Sequence, residues 1–147
     1  MEKIPFQNDQ FDFVFALGVF DCTQQDAALA EMLRVSKIGG KILLTGKNHY
    51  YNEDDDEAKA AEMGARAKGE PNYFTNYSEM CLQIANNQHS IIDQKLFKYR
   101  GDFAYLDNQE CNIGDRFYEF ILVVEKCSAN INFTNFSSSK SKVYIHA

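Results

Sequence analysis

The side chains with the greatest chemical reach in this sequence stand together in Gly46-Lys47-Asn48-His49-Tyr50-Tyr51, where an amine, an amide, an imidazole and two phenols follow one another. An imidazole titrates close to neutrality, so His49 is the candidate general base, able to take a proton from a hydroxyl during a transfer reaction. The competing reading is a solvated loop histidine. His89 and His146 are dispersed, as are Cys22, Cys81, Cys111 and Cys127, with no CxxC or short Cys/His spacing. No metal-ligand set is therefore expected, and the thiols read as reduced. The run Glu53-Asp54-Asp55-Asp56-Glu57 has the composition of a divalent-cation site. Acids ahead of a helix are also what its dipole favours, and no sugar-nucleotide framework surrounds them, so the helix explanation is preferred. Tyr50, Tyr51, Tyr73, Phe74 and Tyr77 offer either an organic pocket wall or packing between helices.

These groups need a frame, and 147 residues with 45% apolar content are enough to bury one core. A formal net charge of −6 gives no electrostatic footprint for nucleic acid or an anionic membrane, and neither is expected as a partner. The longest apolar run, Phe13 to Phe20, is well short of the roughly 20 residues a membrane-spanning helix needs. No signal-type apolar region follows Met1, so a cytoplasmic location is expected.

Phe11 to Leu17 is a nearly continuous apolar stretch, the pattern of a strand buried on both faces of a parallel sheet. Thr23 is placed to cap a helix, with Asp26 three residues on and Ala27, Ala28, Met32 and Val35 at helical spacing up to about Ser36. Gly39-Gly40 then supplies the positive φ of a turn, and Lys41 to Thr45 reads as the next buried strand, completing a βαβ unit. A surface helix is expected over Ala58 to Lys68, closed by Gly69, and another over Ser78 to Ala85 with Ser78 and Glu79 at its start. Ile91 to Tyr99 and Phe117 to Lys126, joined by a polar loop with Gly101, Asn108 and Gly114, read as an antiparallel hairpin. The Ser- and Asn-rich residues 128–147 are expected to form a poorly ordered tail outside the packed core.

Two segments carry a resemblance. Ile4-Pro5-Phe6-Gln7-Asn8-Asp9-Gln10-Phe11-Asp12-Phe13-Val14 is similar to the stretch leading into the fourth strand of the methyltransferase type 11 family, which often reads LPF, a polar turn, then FD and apolar residues. In register with it, Ala30-Glu31-Met32-Leu33-Arg34-Val35-Ser36-Lys37-Ile38-Gly39-Gly40-Lys41-Ile42-Leu43 resembles that family's E-hydrophobic-x-RVLKPGG helix and turn, with Ile38 where proline is usual. The order and separation of the two make the likeness specific, and it extends over residues 1–127, strongest before Thr45.

The resemblance implies an α/β fold: the Rossmann-like doubly wound sheet of class I S-adenosylmethionine-dependent methyltransferases, from its fourth strand onward and ending in an antiparallel hairpin. The family's glycine-rich loop and the acid ending its second strand find no counterpart among these residues. The chain is therefore expected to be a truncated form, a partial methyltransferase domain over residues 1–127 followed by the tail. By the same resemblance the cofactor of the intact domain is S-adenosylmethionine. Ala16, Leu17 and Gly18 then stand where the chain passes its methionyl part, and Phe20 and Asp21 flank that pocket. From the residues alone, Phe20 fits a core position and Asp21 a helix start equally well. His49 would serve a hydroxyl acceptor as base. The acceptor, a small molecule or a glycan with lipid and protein also open, is not specified by shared strands. Two other readings are a non-catalytic interaction module, self-associating or pairing with another chain through the edge of the Phe11 to Leu17 strand, and an inactive gene fragment of the same fold.

Overall fold

The computed structural model describes residues 1–105, 111–112 and 114–143, which leaves Asn108 and His146 outside the described residues. Strand β1 (Phe11–Ala16), helix α1 (Gln25–Val35) and strand β2 (Ser36–Lys47) form the expected βαβ unit, with β1 and β2 parallel. Helix α2 (Asp56–Lys68), the short strand β3 (Phe74–Thr75) and helix α3 (Tyr77–Asn86) follow. Strand β4 (Ser90–Phe97), the single turn α4 (Asp102–Tyr105) and strand β5 (Glu119–Glu125) supply the hairpin, and β6 (Ser137–Ser138) pairs with β3. The main sheet has the order β1-β2-β5-β4, with β5 antiparallel to both of its neighbours.

One face of this sheet makes the core. Ala16, Ile42, Leu44, Phe120, Leu122 and Val124 alternate along their strands and pack with Leu29, Met32 and Leu33 of α1 and Met80 and Ile84 of α3. The other face is open at β1, where Phe13, Phe15 and Leu17 are 51%, 64% and 54% exposed. The expectation of a strand buried on both faces is thus corrected: β1 lies at the edge of the described sheet, and its apolar run buries only every second side chain.

The motif residues have a structural purpose. Glu31 and Arg34 lie one turn apart on α1, and Arg34 holds Glu31 Oε1 at 2.6 Å. Arg34 also donates to the carbonyls of Ile4 and Phe6, both at 2.9 Å, while Ile4 N donates to Glu31 Oε2 at 2.8 Å. The segment before β1 is clasped to the helix in this way. Arg34, chiefly, holds the Glu31 carboxyl down at about 2.

Several local expectations change. Thr23 does not cap α1; its hydroxyl donates to Phe20 O at 2.7 Å within a 3-10 turn over Phe20–Cys22, and Gln24 stands at the cap without a side-chain bond. Of the two turn glycines only Gly39 has positive φ, +81°, and the pair forms an irregularity inside a longer β2, not a turn ahead of it. Gly40 answers a different need, since a Cβ there would meet Lys37 O at 2.8 Å. Helix α2 starts at Asp56 because Asp55 Oδ1 accepts from Ala58 N at 2.9 Å, and Gly69 closes it at φ +66°. Helix α3 is capped by Asn76, which accepts from Glu79 N at 3.2 Å, one position earlier than Tyr77 and two before Ser78.

The acidic run is structural. Asp55 also accepts from Arg100 N at 2.8 Å, Asp54 accepts from the Tyr99 hydroxyl at 3.1 Å, and Glu53 pairs with Arg116 at 2.8 Å. The tail, expected outside the core, is docked through residues 131–141. Phe136 is 4% exposed, Asn76 N donates to its carbonyl at 2.8 Å, and Ser141 Oγ donates to the buried Glu62 carboxylate at 2.6 Å. Polar composition misled here because side chains distant in sequence satisfy the tail's backbone, as Asn87 Oδ1 does in accepting from Asn132 N at 2.7 Å, while Ser128 Oγ donates to Asn87 O at 2.6 Å. No helix among the described residues is long and apolar enough to cross a membrane.

Candidate functional site

Because β1 and β2 are parallel and β5 runs against them, the last residues of β1 and β2 and the first of β5 meet at one end of the sheet; Lys47 pairs with Glu119. The end of β4 arrives there too, Phe97 opposite Glu119, so the turn α4 that follows folds over the same end. A cavity of about 310 Å³ opens at this point. Leu17, Gly18, Thr45 and Gly46 line it from the strand ends. Crevices of this kind at carboxyl strand ends are where open α/β sheets bind ligands.

Glycine is required at two positions of that lining. Gly18 sits at φ +66° and donates its N–H to Thr45 Oγ1 at 2.9 Å, tying the chain leaving β1 to β2. A Cβ on Gly46 would lie 2.6 Å from the Phe120 ring, so its absence lets that ring close one wall. Phe103 of α4 lines the opposite rim and is itself packed on Phe97, ring centroids 5.4 Å apart.

Three charged side chains complete the lining: Asp21, Lys47 and Glu119. Asp21 Oδ1 accepts from Lys47 N at 3.1 Å, and Lys47 Nζ stands 3.7 Å from Asp21 Oδ2. Lys47 is further fixed by Asn72 Oδ1 and by lying 5.0 Å over the Phe74 ring. Burial lifts the Asp21 carboxyl to about 6 in spite of the lysine beside it. Glu119 is raised by burial as well, with the charge of Arg100 and the Gly101 amide opposing and Asp21 adding to the rise. Its Oε2 is shielded from solvent and has no hydrogen-bond partner among the described residues.

Of the residues singled out from the sequence, Leu17, Gly18 and Asp21 line this cavity. Ala16 and Phe20 do not; at 2% and 0% exposure they belong to the core beneath it. Asp21 has no capping role in α1, since Gln24 occupies the cap. His49 is not brought into the lining. Its amide donates to Thr75 O and its carbonyl accepts from Lys142 N, at 2.8 and 2.7 Å, so β3 and the tail hold it on the far side of Lys47 in sequence. Burial and the charge of Lys142 press its imidazole down to about 4, a poor base at neutral pH.

The aromatic set divides as well. Tyr51 and Phe74 pack with Tyr118 and Ala58 in a small second core, Tyr77 belongs to the main one, and Tyr50 stacks under Arg116. Sequence reasoning missed Phe103, Glu119 and Phe120. The one available signal was Glu119 itself, an acid at the head of the apolar run Phe117 to Val124.

A larger groove of about 630 Å³ lies between the start of α1 and the docked tail, with Gln24, Asp26, Tyr73 and Lys140 among its lining. It contains none of the expected site residues, and its walls are mainly exposed hydroxyl and amide groups. The mixed apolar and charged cavity at the strand ends, which gathers Leu17, Gly18 and Asp21, is the stronger candidate.

Residues 1–44 match the family model described as a methyltransferase domain. Over 44 residues the chain is 52% identical to ubiquinone/menaquinone biosynthesis C-methyltransferase UbiE of Burkholderia vietnamiensis, an alignment covering 29% of this chain and 18% of that protein. The counterpart from Cupriavidus necator H16 gives the same identity and coverage. The match thus spans about a fifth of the length of these curated relatives. Among solved structures, geranyl diphosphate methyltransferase in complex with SAM superposes with a TM-score of 0.59 at 9% identity, over 85% of this chain and 54% of that one. An S-adenosylmethionine-dependent methyltransferase from Methanosarcina mazei gives 0.53 at 13% identity, over 85% and 63%.

Proposed function

Given that this chain has the fold of class I S-adenosylmethionine-dependent methyltransferases and that its residues 1–44 match a methyltransferase-domain family model, we propose that it supplies the acceptor-side wall of a methyl-transfer site. S-adenosylmethionine is the cofactor of that fold class, and when bound it supplies an activated methyl group carried on a positive sulfur. The residues present fit such a group. Gly18 and Gly46 keep their part of the lining free of side chains, and the carboxylates of Asp21 and Glu119 set negative charge beside a pocket otherwise walled by Leu17, Phe103 and Phe120. Leu17, Gly18 and Asp21 would hold the methionyl end. Lys47 fixes Asp21 in place through its amide and its ammonium.

Methyl transfer is an in-line displacement, so the main demand on the protein is alignment in a water-poor site. The observation that carries this reading is the convergence of Gly18, Asp21, Lys47 and Glu119 on one cavity at the carboxyl ends of parallel strands. At about 310 Å³ that cavity is at the small end of ligand pockets, sufficient for the reacting ends of donor and acceptor. The remainder of the cofactor calls for a glycine-rich half contributed by further protein. Calorimetry with S-adenosylhomocysteine tests this, on the chain itself and on the chain joined to a matching N-terminal half. Binding heat is expected in the joined protein, and its absence there removes the methyl-transfer reading.

A second reading is favoured by one feature, the exposed Phe13, Phe15 and Leu17 on an edge strand with no outer partner among the described residues. Such an edge invites pairing with a strand of another chain or of a second copy. Light scattering after size-exclusion chromatography checks it: a monomer at high concentration would count against pairing through β1.

A further inference from the structure

Glu119 is the charged group of the cavity that the reading so far leaves without a task. Asp21 and Lys47 satisfy each other, through the 3.1 Å amide bond and the 3.7 Å ion pair. Glu119 has no such partner at Oε2, which is shut off from solvent. It stands at the first position of β5, held by the ladder opposite Lys47 on one side and Phe97 on the other, so its backbone cannot swing away. The surroundings are apolar where Phe103 and Phe120 line the same cavity. A buried carboxylate with an unfilled acceptor position costs free energy unless something brings it an N–H or O–H. The Gly101 amide serves this carboxylate, and Oε2 is left without a donor among the described residues.

We propose that the Glu119 carboxylate, whose side chain lines the cavity and turns to bring Oε2 to face it, is the proton acceptor of this site, and that the acceptor molecule presents a hydroxyl or amine on an apolar body that rests against Phe103 and Phe120. The inference builds on the methyl-transfer reading. As the acceptor's oxygen or nitrogen forms its bond to the methyl carbon, the electron pair of the breaking carbon–sulfur bond stays with the donor's sulfur, which becomes a neutral thioether. The O–H or N–H proton passes to Glu119, whose negative charge is lost as the positive charge on sulfur is lost, so the charge of the site is unchanged. The raised affinity of Glu119 for a proton suits it to this task. An acceptor methylated on carbon without such a donor would leave the carboxylate unfilled.

The proposal can be tested on this chain without any turnover. The probes are 2-phenylethanol and 2-phenylethylamine, with ethylbenzene as the donor-free control, and binding is followed by NMR of the Leu17 methyls and the Phe120 ring. The donor probes are expected to bind at least tenfold more weakly to Glu119→Met than to the unaltered chain, the size of one hydrogen bond to a charged group, while ethylbenzene binds both alike. Affinity for 2-phenylethanol should rise with pH through the Glu119 midpoint and become flat in Glu119→Gln, which retains the shape. Asp21, Lys47 and Arg100 are the other charged groups acting on Glu119; Asp21 adds to its rise, so in Asp21→Asn the slope is expected to persist with its midpoint moved to lower pH. Equal loss of all three probes, or a pH slope that persists in Glu119→Gln and vanishes in Asp21→Asn, overturns the assignment. A failure of S-adenosylhomocysteine to bind the joined protein would instead strike the methyl-transfer reading, whatever the probes do.

Discussion

Replacing Gly40 by alanine puts a Cβ where three backbone carbonyl oxygens already converge: Lys37 O at 2.8 Å, Phe11 O at 3.2 Å and Asp12 O at 3.3 Å. None of these is the end of a flexible side chain, so relief requires β1 to move off β2 at the point where their register already shifts between Phe11 and Phe13. Overpacking of this kind costs roughly 1–3 kcal/mol. In a chain of this size each kcal/mol moves the melting midpoint by about 2–4 °C, so a fall of roughly 2–12 °C is expected. The neighbouring Gly39 gives the contrast. A Cβ there meets nothing within 4 Å, but its φ of +81° is one that L side chains rarely adopt, at a cost of roughly 1–2 kcal/mol. Asparagine tolerates that conformation better than alanine, so Gly39→Asn should recover part of what Gly39→Ala loses, whereas Gly40→Asn should be no better than Gly40→Ala. Thermal and urea unfolding by circular dichroism reads all four variants. A Gly40→Ala protein that melts with the parent, or asparagine acting alike at both positions, would refute the division of labour between the two glycines.

Two further outcomes follow from buried groups. Glu62→Ala removes the acceptor of the Tyr51 hydroxyl at 2.8 Å and of Ser141 N at 3.0 Å, together with the Arg66 pairing; a loss of about 3–5 kcal/mol in urea unfolding and faster amide exchange at Ser141 are expected. His49, lowered from 6.5 to about 4 in the folded chain, binds its proton more readily when unfolded; its contribution is therefore present above pH 6.5 and is lost as pH falls toward 4. His49→Gln should flatten the stability profile in that window in equilibrium unfolding, and an unchanged slope would show that the imidazole is not buried as described.

The sequence was most informative where local chemistry and long-range packing agree. The βαβ unit, the helix ending at Gly69 and the antiparallel pairing of β4 with β5 all follow from periodicity and turn residues. The Glu31 and Arg34 motif is legible for a reason the sequence could not display, the clasp on Ile4 and Phe6. The burial of β1 was misjudged because an apolar run says nothing about whether both faces are covered, and Phe13 and Phe15 are exposed. The tail was misjudged because Asn87, Gln83 and Glu62 lie far away in sequence yet satisfy it. At the site, Leu17, Gly18 and Asp21 are contiguous with a recognisable strand end, whereas Glu119 and Phe103 reach the cavity only because β5 and α4 return to that end. His49 shows the reverse error, a residue of suitable chemistry near the right strand whose backbone is turned to β3 and the tail.

The central claim is the location of a methyl-transfer pocket at the ends of β1, β2 and β5, and amide NMR on the chain joined to a matching N-terminal half tests it most directly. Addition of S-adenosylhomocysteine should shift the resonances of Leu17, Gly18, Asp21 and Lys47 while leaving Ser139 and Lys140 in the larger groove unmoved. Saturable shifts confined to the groove, with Gly18 and Lys47 unchanged, would contradict it.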